Sequence, residues 1–335
     1  VATIACFAAG VAAAQDDAPG TGGERTADGG SKGAAENGPA VVRVGALIND
    51  IQQLDLQSHS YNVDMYMWFK WEDPDIDPSR SFEYLNAFEF WGHILTYETG
   101  KPQRLSDGSY YQVLRNQGKF NIKLPLEKYP FDTQRLQVLF EDSTAAEDEL
   151  VYVPDEDPIS ISRDLSIPGW DIGEPSLEVV SNVYDSNFGD PAFEDIRYSR
   201  AIVELPMERP AGTYAFKLLL PMLLVAGTAI LSLMLHPRYV EGRIGIGITA
   251  LLTLVALQLT SNSSLPEVDY LILLDKLYIA SYGFVVLTMA VIVRNSWVDA
   301  EGSVAEARAA DRRGLGWLTG IYFLVCAILL ITTLA

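Results

Sequence analysis

The chain has 335 residues and a formal net charge of −20, and the charge is unevenly placed. Residues 213–335 carry acids and bases in equal number, so the whole excess lies in residues 1–212, which excludes a nucleic-acid surface and either gathers cations or only keeps the domain soluble. Cys6 and Cys326 sit in apolar stretches near opposite ends, so no disulfide framework holds the part between them, and the length suggests about two domains.

Residues 1–15 are apolar, rich in Ala and too short to cross a bilayer. They resemble the end of a secretory signal, residues 1–14, with cleavage near Ala14, which implies export of the residues downstream. Residues 15–40 hold little that can be buried and read as a disordered linker. From Val41 the apolar pattern takes a period of two. Tyr61, Val63, Met65, Met67, Phe69 and Trp71 alternate with Asn62, Asp64, Tyr66, Trp68 and Lys70, the signature of a half-buried strand. Similar runs occur at 43–56, 109–115, 119–126, 134–141, 176–184 and 197–206. Turn clusters such as those at 73–79 and 186–191 separate them, and a short helix fits near 80–86. Short strands at such spacing predict a β-sandwich over residues 41–210.

Residues 211–335 hold four apolar runs, at about 214–235, 241–262, 271–293 and 315–334. Each is long enough to cross a bilayer as a helix. Arg238 and Arg243 flank the first connection, and Arg294, Arg308, Arg312 and Arg313 flank the third. Residues 260–270, between the second and third runs, carry no Lys or Arg. The positive-inside rule therefore places the first and third connections in the cytoplasm, and residues 260–270, the N-terminal domain and the C-terminus outside.

The second run is an odd helix to leave in lipid. Glu241, Gly245, Thr249, Leu252, Ala256, Leu259 and Ser263 recur at steps of three and four, so they share one face. That face begins with a carboxylate, continues small or polar, and ends apolar. A lone span gains nothing from such a stripe, whereas a helix lining a water-filled hole in a ring of copies does. Gly242, Gly245 and Gly247 each cost about 1 kcal/mol in a helix against Ala, and serve either bending or close packing.

Further residues carry a resemblance. Tyr129, Pro130, Phe131 and Asp132 form a YPFD turn between strands, and Gly169-Trp170-Asp171 comes after it. Arg209 stands twelve residues before Pro221, and Glu241 twenty-five before Pro266. In this order, with a sandwich before and four spans after, residues 41–335 resemble the pentameric ligand-gated ion channels, the Cys-loop receptor family, and its bacterial members in particular. The resemblance implies an all-β sandwich extracellular domain followed by a four-helix transmembrane domain. It also implies a homopentamer around a central pore, surrounded by membrane lipids in a bacterial inner membrane, with the N-terminal domain and C-terminus periplasmic. Ile122 and Leu136 stand where the animal family has bridged cysteines. Only about twenty residues join the last two spans, which leaves no basis for an intracellular partner.

In a ring of five, Glu241 would form a carboxylate ring at the cytoplasmic mouth and attract cations. The plainer alternative pairs it with Arg238 or Arg243. Gly245 and Thr249 would line the narrow inner half, and Leu252, Ala256 and Leu259 would stack as apolar rings, with Leu252 the gate. The resemblance also assigns coupling between the domains to His59 in the 57–60 turn, to Pro130, Phe131 and Asp132, to Arg209, and to Leu265 and Pro266. Asp132 and Arg209 are expected to pair. It implies an agonist site between subunits, with Tyr184 and Tyr198 on a capping hairpin, Glu141 beside them, and Tyr66 from the neighbouring subunit. Glu89 and Phe90 belong to its first loop, with Arg104 nearby. Aromatic faces and a carboxylate suit an amine.

Two other triggers stay open. Protons can act on the acidic domain and His59, and calcium can modulate through the runs at 147–149 or 155–157, although neither has a recognisable ligand spacing. No cofactor is required, and no enzyme motif is present: there is no Gly-rich phosphate loop, and the histidines, His59, His93 and His236, are scattered. The rival reading is a non-conducting periplasmic sensor with four spans.

Overall fold

The computed structural model describes residues 38–186, 196–300 and 304–334; the predicted leader, most of the linker and the Phe90 side chain lie outside that description. Long strands form wherever the alternation is clean. The strands are β1 (Ala40–Asp55), β2 (Ser60–Trp71), β3 (Phe82–Tyr84), β4 (Ala87–Phe88), β5 (Ile94–Tyr97), β6 (Gln103–Arg104), β7 (Tyr110–Asn121), β8 (Thr133–Asp142), β9 (Leu150–Ile161), β10 (Asp171–Ile172), β11 (Ser176–Val183) and β12 (Arg197–Glu208). A single turn of helix, α1 (Pro78–Ser81), precedes β3.

Two sheets result. One is built on the order β4-β7-β2-β1-β9, with β5 and β6 also pairing with β7; the other runs β10-β12-β8-β3, with β11 beside β12. Their inner faces supply one core. Val44, Met65, Met67 and Phe69 come from the first sheet, and Leu136, Val138, Phe140 and Val203 from the second, all buried. Phe69, Phe82, Phe140 and Tyr152 meet edge-on or tilted, with ring centres 5.3–6.3 Å apart.

Besides the short strands β3–β6 and β10, which the sequence does not anticipate, the structure departs from expectation in three further places. The runs at 109–115 and 119–126 are one strand through Gly118, and residues 122–126 leave the sheet. Gly118 is required there because a Cβ would lie 2.2 Å from the His93 ring. β9 has no counterpart among the expected strands, because Pro154, Pro158 and three acids interrupt its pattern. It survives as an edge strand parallel to β1, whose register jumps from Val44–Pro154 to Ala46–Ile159, so the charged segment bulges out. The short helix begins earlier than expected and gives way to β3.

Four helices complete the chain: α2 (Ala211–Met234), α3 (Val240–Asn262), α4 (Leu273–Ala300) and α5 (Val304–Leu334). All four are long and apolar enough to cross a membrane. α4 and α5 run past the predicted spans, so most of the connection between them is helical. Their core gathers Met222, Ala226, Ala250, Leu254, Leu277, Tyr278, Phe284 and Tyr322.

Gly45 offers a test of the sandwich. A Cβ there would fall 2.1 Å from the Trp68 ring, and that ring is held by its Nε1–H donating to Asp155 at 2.8 Å. Gly45→Ala is expected to cost about 1–3 kcal/mol by overpacking, read as a lower thermal midpoint of the purified protein. An unchanged midpoint would mean that the ring moves aside freely.

Candidate functional site

The sandwich meets the helices through the loop at 122–132. Leu126 and Tyr129 are buried, and both belong to the helical core rather than to the sandwich core, beside Leu265, Ile272 and Leu273. Backbone bonds seal the joint: the Leu126 N–H donates to the Tyr270 hydroxyl at 3.1 Å, and the Leu273 N–H to the Glu127 carbonyl at 3.0 Å. Pro130, after a cis peptide bond, is buried, and Phe131 packs against the same core. Leu265 is buried and Pro266 half-buried in the loop that leaves α3. His59 sits in the β1–β2 turn at φ 52°, where its Nδ1 accepts the Leu124 N–H at 3.1 Å. The role of Leu126 escapes sequence reading because it ends an alternating run, Phe120, Ile122, Leu124 and Leu126, that reads as a strand of the sandwich.

Asp132 and Arg209 pair at this seam. Arg209 Nε donates to Asp132 Oδ1 at 2.6 Å, with both side chains nearly dry. Gln134 Nε2 donates to the other carboxylate oxygen at 2.6 Å and to the Pro125 carbonyl at 2.7 Å. The guanidinium also lies 4.0 Å from the Trp170 ring centre and 5.0 Å from that of Tyr129. A charge so far from water persists only with such partners, and the ring faces add to the carboxylate. Tyr129, Asp132, Trp170 and Arg209, scattered along the sequence, thus form one knot.

The predicted stripe on α3 is uncovered. Glu241, Gly245, Thr249, Leu252, Ala256, Leu259 and Ser263 are all exposed, Leu252 and Leu259 by 65% and 68%, while Arg243, Gly247, Ala250 and Leu254 are buried on the opposite side. Glu241 stands in the first turn, where the helix dipole favours a carboxylate, and forms no ion pair among the described residues. Arg243 turns the other way. It is wholly buried, its Nε donates to the Ser232 carbonyl at 2.9 Å, and its Nη2 lies 2.9 Å from Asp311 Oδ1. That last contact is an ion pair by distance but lacks hydrogen-bond direction. The expected alternative, Glu241 paired with Arg243, is therefore absent. Thr249 Oγ1 donates to the Gly245 carbonyl at 2.9 Å, leaving its lone pairs facing outward. Gly247 serves close packing, since a Cβ there would lie 2.5 Å from Met289; Gly242 and Gly245 border open space.

Sequence reading also misses the seam that ties the C-terminal half of α3 to α4. Gln258 Nε2 and Asn262 Nδ2 donate to Asp275 Oδ1 at 3.0 and 3.2 Å, and the Tyr282 hydroxyl donates to Gln258 Oε1 at 2.5 Å. These residues lie off the exposed stripe, so the pattern that reveals the stripe hides them.

The expected ligand residues divide between the sheets. On the five-stranded sheet, Glu141 is buried and accepts from Arg200 Nε at 2.6 Å and from the Tyr184 hydroxyl at 2.8 Å. Tyr184 and Tyr198 meet edge-to-face with centres 5.7 Å apart. Burial first, and then the Glu141 bond, raise the Tyr184 hydroxyl above its ordinary pKa. Arg200 is absent from the expected set, although it is the residue paired with Glu141. It sits at an outward position of β12, where an Arg ordinarily reads as a solvated surface residue. Tyr66, Glu89 and Arg104 belong to the other sheet and its loops. Arg115 lies 5.5 Å from the Tyr66 ring centre and binds Asp64 through two nitrogens, which holds that carboxyl below its usual range. Glu89 lies 3.8 Å from Lys119, and Arg104 Nε donates to the Gly108 carbonyl at 3.4 Å. Phe90 opens a 3-10 turn. The hairpin tip, 187–195, lies outside the described residues. Among the described residues no three His, Cys, Asp or Glu side chains converge as metal ligands, at 147–149 and 155–157 included.

A two-sheet sandwich locked onto four apolar helices defines a multi-pass membrane protein. No protein-family model matches the chain. It is similar to the glycine receptor subunit beta of Rattus norvegicus and of Homo sapiens, 24% identical over 307 residues, covering 82% of this chain and 60% of each relative. It is also similar to the proton-gated ion channel of Gloeobacter violaceus, 22% identical over 291 residues, covering 82% of this chain and 78% of that one. A gamma-aminobutyric acid receptor subunit beta of Lymnaea stagnalis matches at 23% over 195 residues, 58% of this chain and 37% of the relative. The chain thus spans 60% of the length of the glycine receptor subunits it matches. These relatives agree, at 22–24% identity, with the resemblance to the pentameric ligand-gated ion channels read from the sequence.

Removing either partner of the seam pair strands a charge in a dry site, at about 3–5 kcal/mol. Arg209→Ala and Asp132→Ala are each expected to lower the thermal midpoint sharply, with the double variant losing less than the two singles together. Additive losses would show that the two side chains act independently.

Proposed function

We propose that the protein is a ligand-gated, cation-selective ion channel of a bacterial inner membrane, a homopentamer whose pore is lined by α3. The observation that carries this is the stripe from Glu241 to Ser263, which the chain's own spans leave uncovered while every buried position of α3 faces the other way. A helix amid lipid has no use for a carboxylate, small residues and hydroxyls in one row; a helix facing water does. Five Glu241 carboxylates would select cations at the inner mouth. Leu252, Ala256 and Leu259 would form rings narrow enough to exclude water when closed. The sandwich would lie on the periplasmic side.

The agonist is proposed to bind between copies. Glu141, Tyr184 and Tyr198 of one subunit would face Tyr66 of the next, with Glu89, Phe90 and Arg104 nearby. An amine remains the proposed class, drawn by the ring faces and Glu141. Arg200 adds a requirement: the amine must compete with it for the carboxylate, or bring an acidic group that Arg200 receives. The seam of Asp132, Arg209, Leu126 and Tyr129 would pass the movement of the sandwich to the loop at 264–270 and so to α3.

Protons are a second trigger with a specific observation behind them. His59 Nδ1 accepts a backbone N–H, which it cannot do once both ring nitrogens carry hydrogen.

Purified protein in planar bilayers tests this. Currents are expected on adding amines or acid, with a reversal potential near that of the cations. Glu241→Ala is expected to lower the cation-to-anion permeability ratio several-fold, and Leu252→Ser to open the channel at lower agonist or without any. Silence under every amine and pH would favour the non-conducting sensor.

A further inference from the structure

Glu241 and Arg243 are two residues apart at the inner end of α3, so the helix turns them about 200° away from each other. Sequence alone leaves that arrangement weak, since a long arginine side chain can swing to a nearby carboxylate at a water-filled mouth. What prevents it lies on a different helix. Asp311 of α5 reaches Arg243 at 2.9 Å, and Asn295 of α4 donates its Nδ2–H to the same carboxylate oxygen at 2.7 Å. Ser232 of α2 accepts from Arg243 Nε. All four helices therefore contribute to one cluster, with α2 and α5 touching the guanidinium and α4 holding Asp311, and Arg243, Asn295 and Asp311 are all buried. The cluster is incompletely bonded: Arg243 Nη1 and Asp311 Oδ2 have no hydrogen-bond partner among the described residues. Arg243 is thus retained chiefly by charge.

We propose that Asp311, on the last span and on no pore-facing row, is a positioning residue for ion selectivity. Its carboxylate keeps the Arg243 charge buried and cancelled, so Glu241 faces the mouth unopposed. This rests on the cation-channel reading above. With Asp311 neutral, Arg243 carries an uncompensated charge. It either stays and offsets Glu241 through the protein or turns to the mouth and pairs with it. Each route takes the local charge per subunit from about −1 toward zero.

The experiment compares full-length wild type, Asp311→Asn, Asp311→Glu and the double variant Arg243→Gln/Asp311→Asn in planar bilayers under a sodium chloride gradient. Asp311→Asn is expected to move the reversal potential toward that of chloride, a several-fold fall in the cation-to-anion permeability ratio. Asp311→Glu and the double variant are expected to stay near wild type, the latter because no stray charge remains. A merely structural role changes the number of active channels and leaves the reversal potential where it was. Conducting Asp311→Asn channels with wild-type selectivity would overturn the proposal. If Asp311→Asn yields no channels, the double variant decides: recovery of cation-selective current supports the proposal, and silence overturns it. A wild type that passes no current, or mainly anions, defeats the channel reading itself, which separates the two failures.

Discussion

An ion taken out of water must find its opposite, and this molecule does so at both ends of its helical bundle. At the end next to the sandwich Arg209 meets Asp132 at 2.6 Å, and at the far end Arg243 meets Asp311 at 2.9 Å. Buried pairs seldom add net stability over apolar packing of similar volume, because desolvation offsets the attraction. Their value is geometric. Each pair has one arrangement in which neither charge is stranded, so each fixes a register that apolar packing alone would leave loose. The Arg209–Asp132 pair fixes how β12 enters α2. The Arg243–Asp311 pair fixes which side of α3 is turned away from its own chain.

Between these fixed points the packing is continuous. The 122–132 loop is part of the helical core in the same sense as any residue of the helices, since Leu126 and Tyr129 lose their exposure there. The sandwich therefore rests on a plug rather than on a tether. A displacement of β7 or β8 has to move buried side chains among Leu265, Ile272 and Leu273 or break the bonds from Leu126 and to Glu127. Close-packed interiors shift between discrete arrangements rather than deform smoothly. That is the physical condition for a signal to cross the joint without being lost in flexible chain.

The architecture is legible in the sequence because its signals are periodic. β2 alternates without a break from Tyr61 to Trp71, and the exposed row of α3 repeats at helical steps over about six turns. Signals fail where a residue's role is set by something distant. Proline and acids in β9 read as loop because parallel pairing with β1 and a bulge are invisible locally. The length of α5 is underread because charges at 304–314 look like the end of a span, although a helix does not stop at the membrane surface. Arg200 and Asp311 share one cause: each is a lone charge whose partner lies 59 or 68 residues away, and only the folded chain brings them together. Asp132 and Arg209 can be paired from sequence only through the family resemblance.

The same logic bears on the Glu141 cluster, the proposed agonist site. Glu141 is less exposed than Arg200, 2% against 20% for the side chains, so the arginine is the part of the pair that an entering molecule meets first. Tyr184 bridges them, donating to Glu141 and accepting from Arg200 Nη2 at 3.2 Å. A ligand that draws Arg200 away leaves Glu141 with one bond from Tyr184 and an uncancelled charge at a buried position. That state is costly unless the ligand's own positive group takes the vacated place. If the agonist binds here as proposed, ligands would be distinguished less by how well they stack on the two rings than by whether they replace the guanidinium, and an uncharged aromatic molecule of the same shape would lack the means to do so.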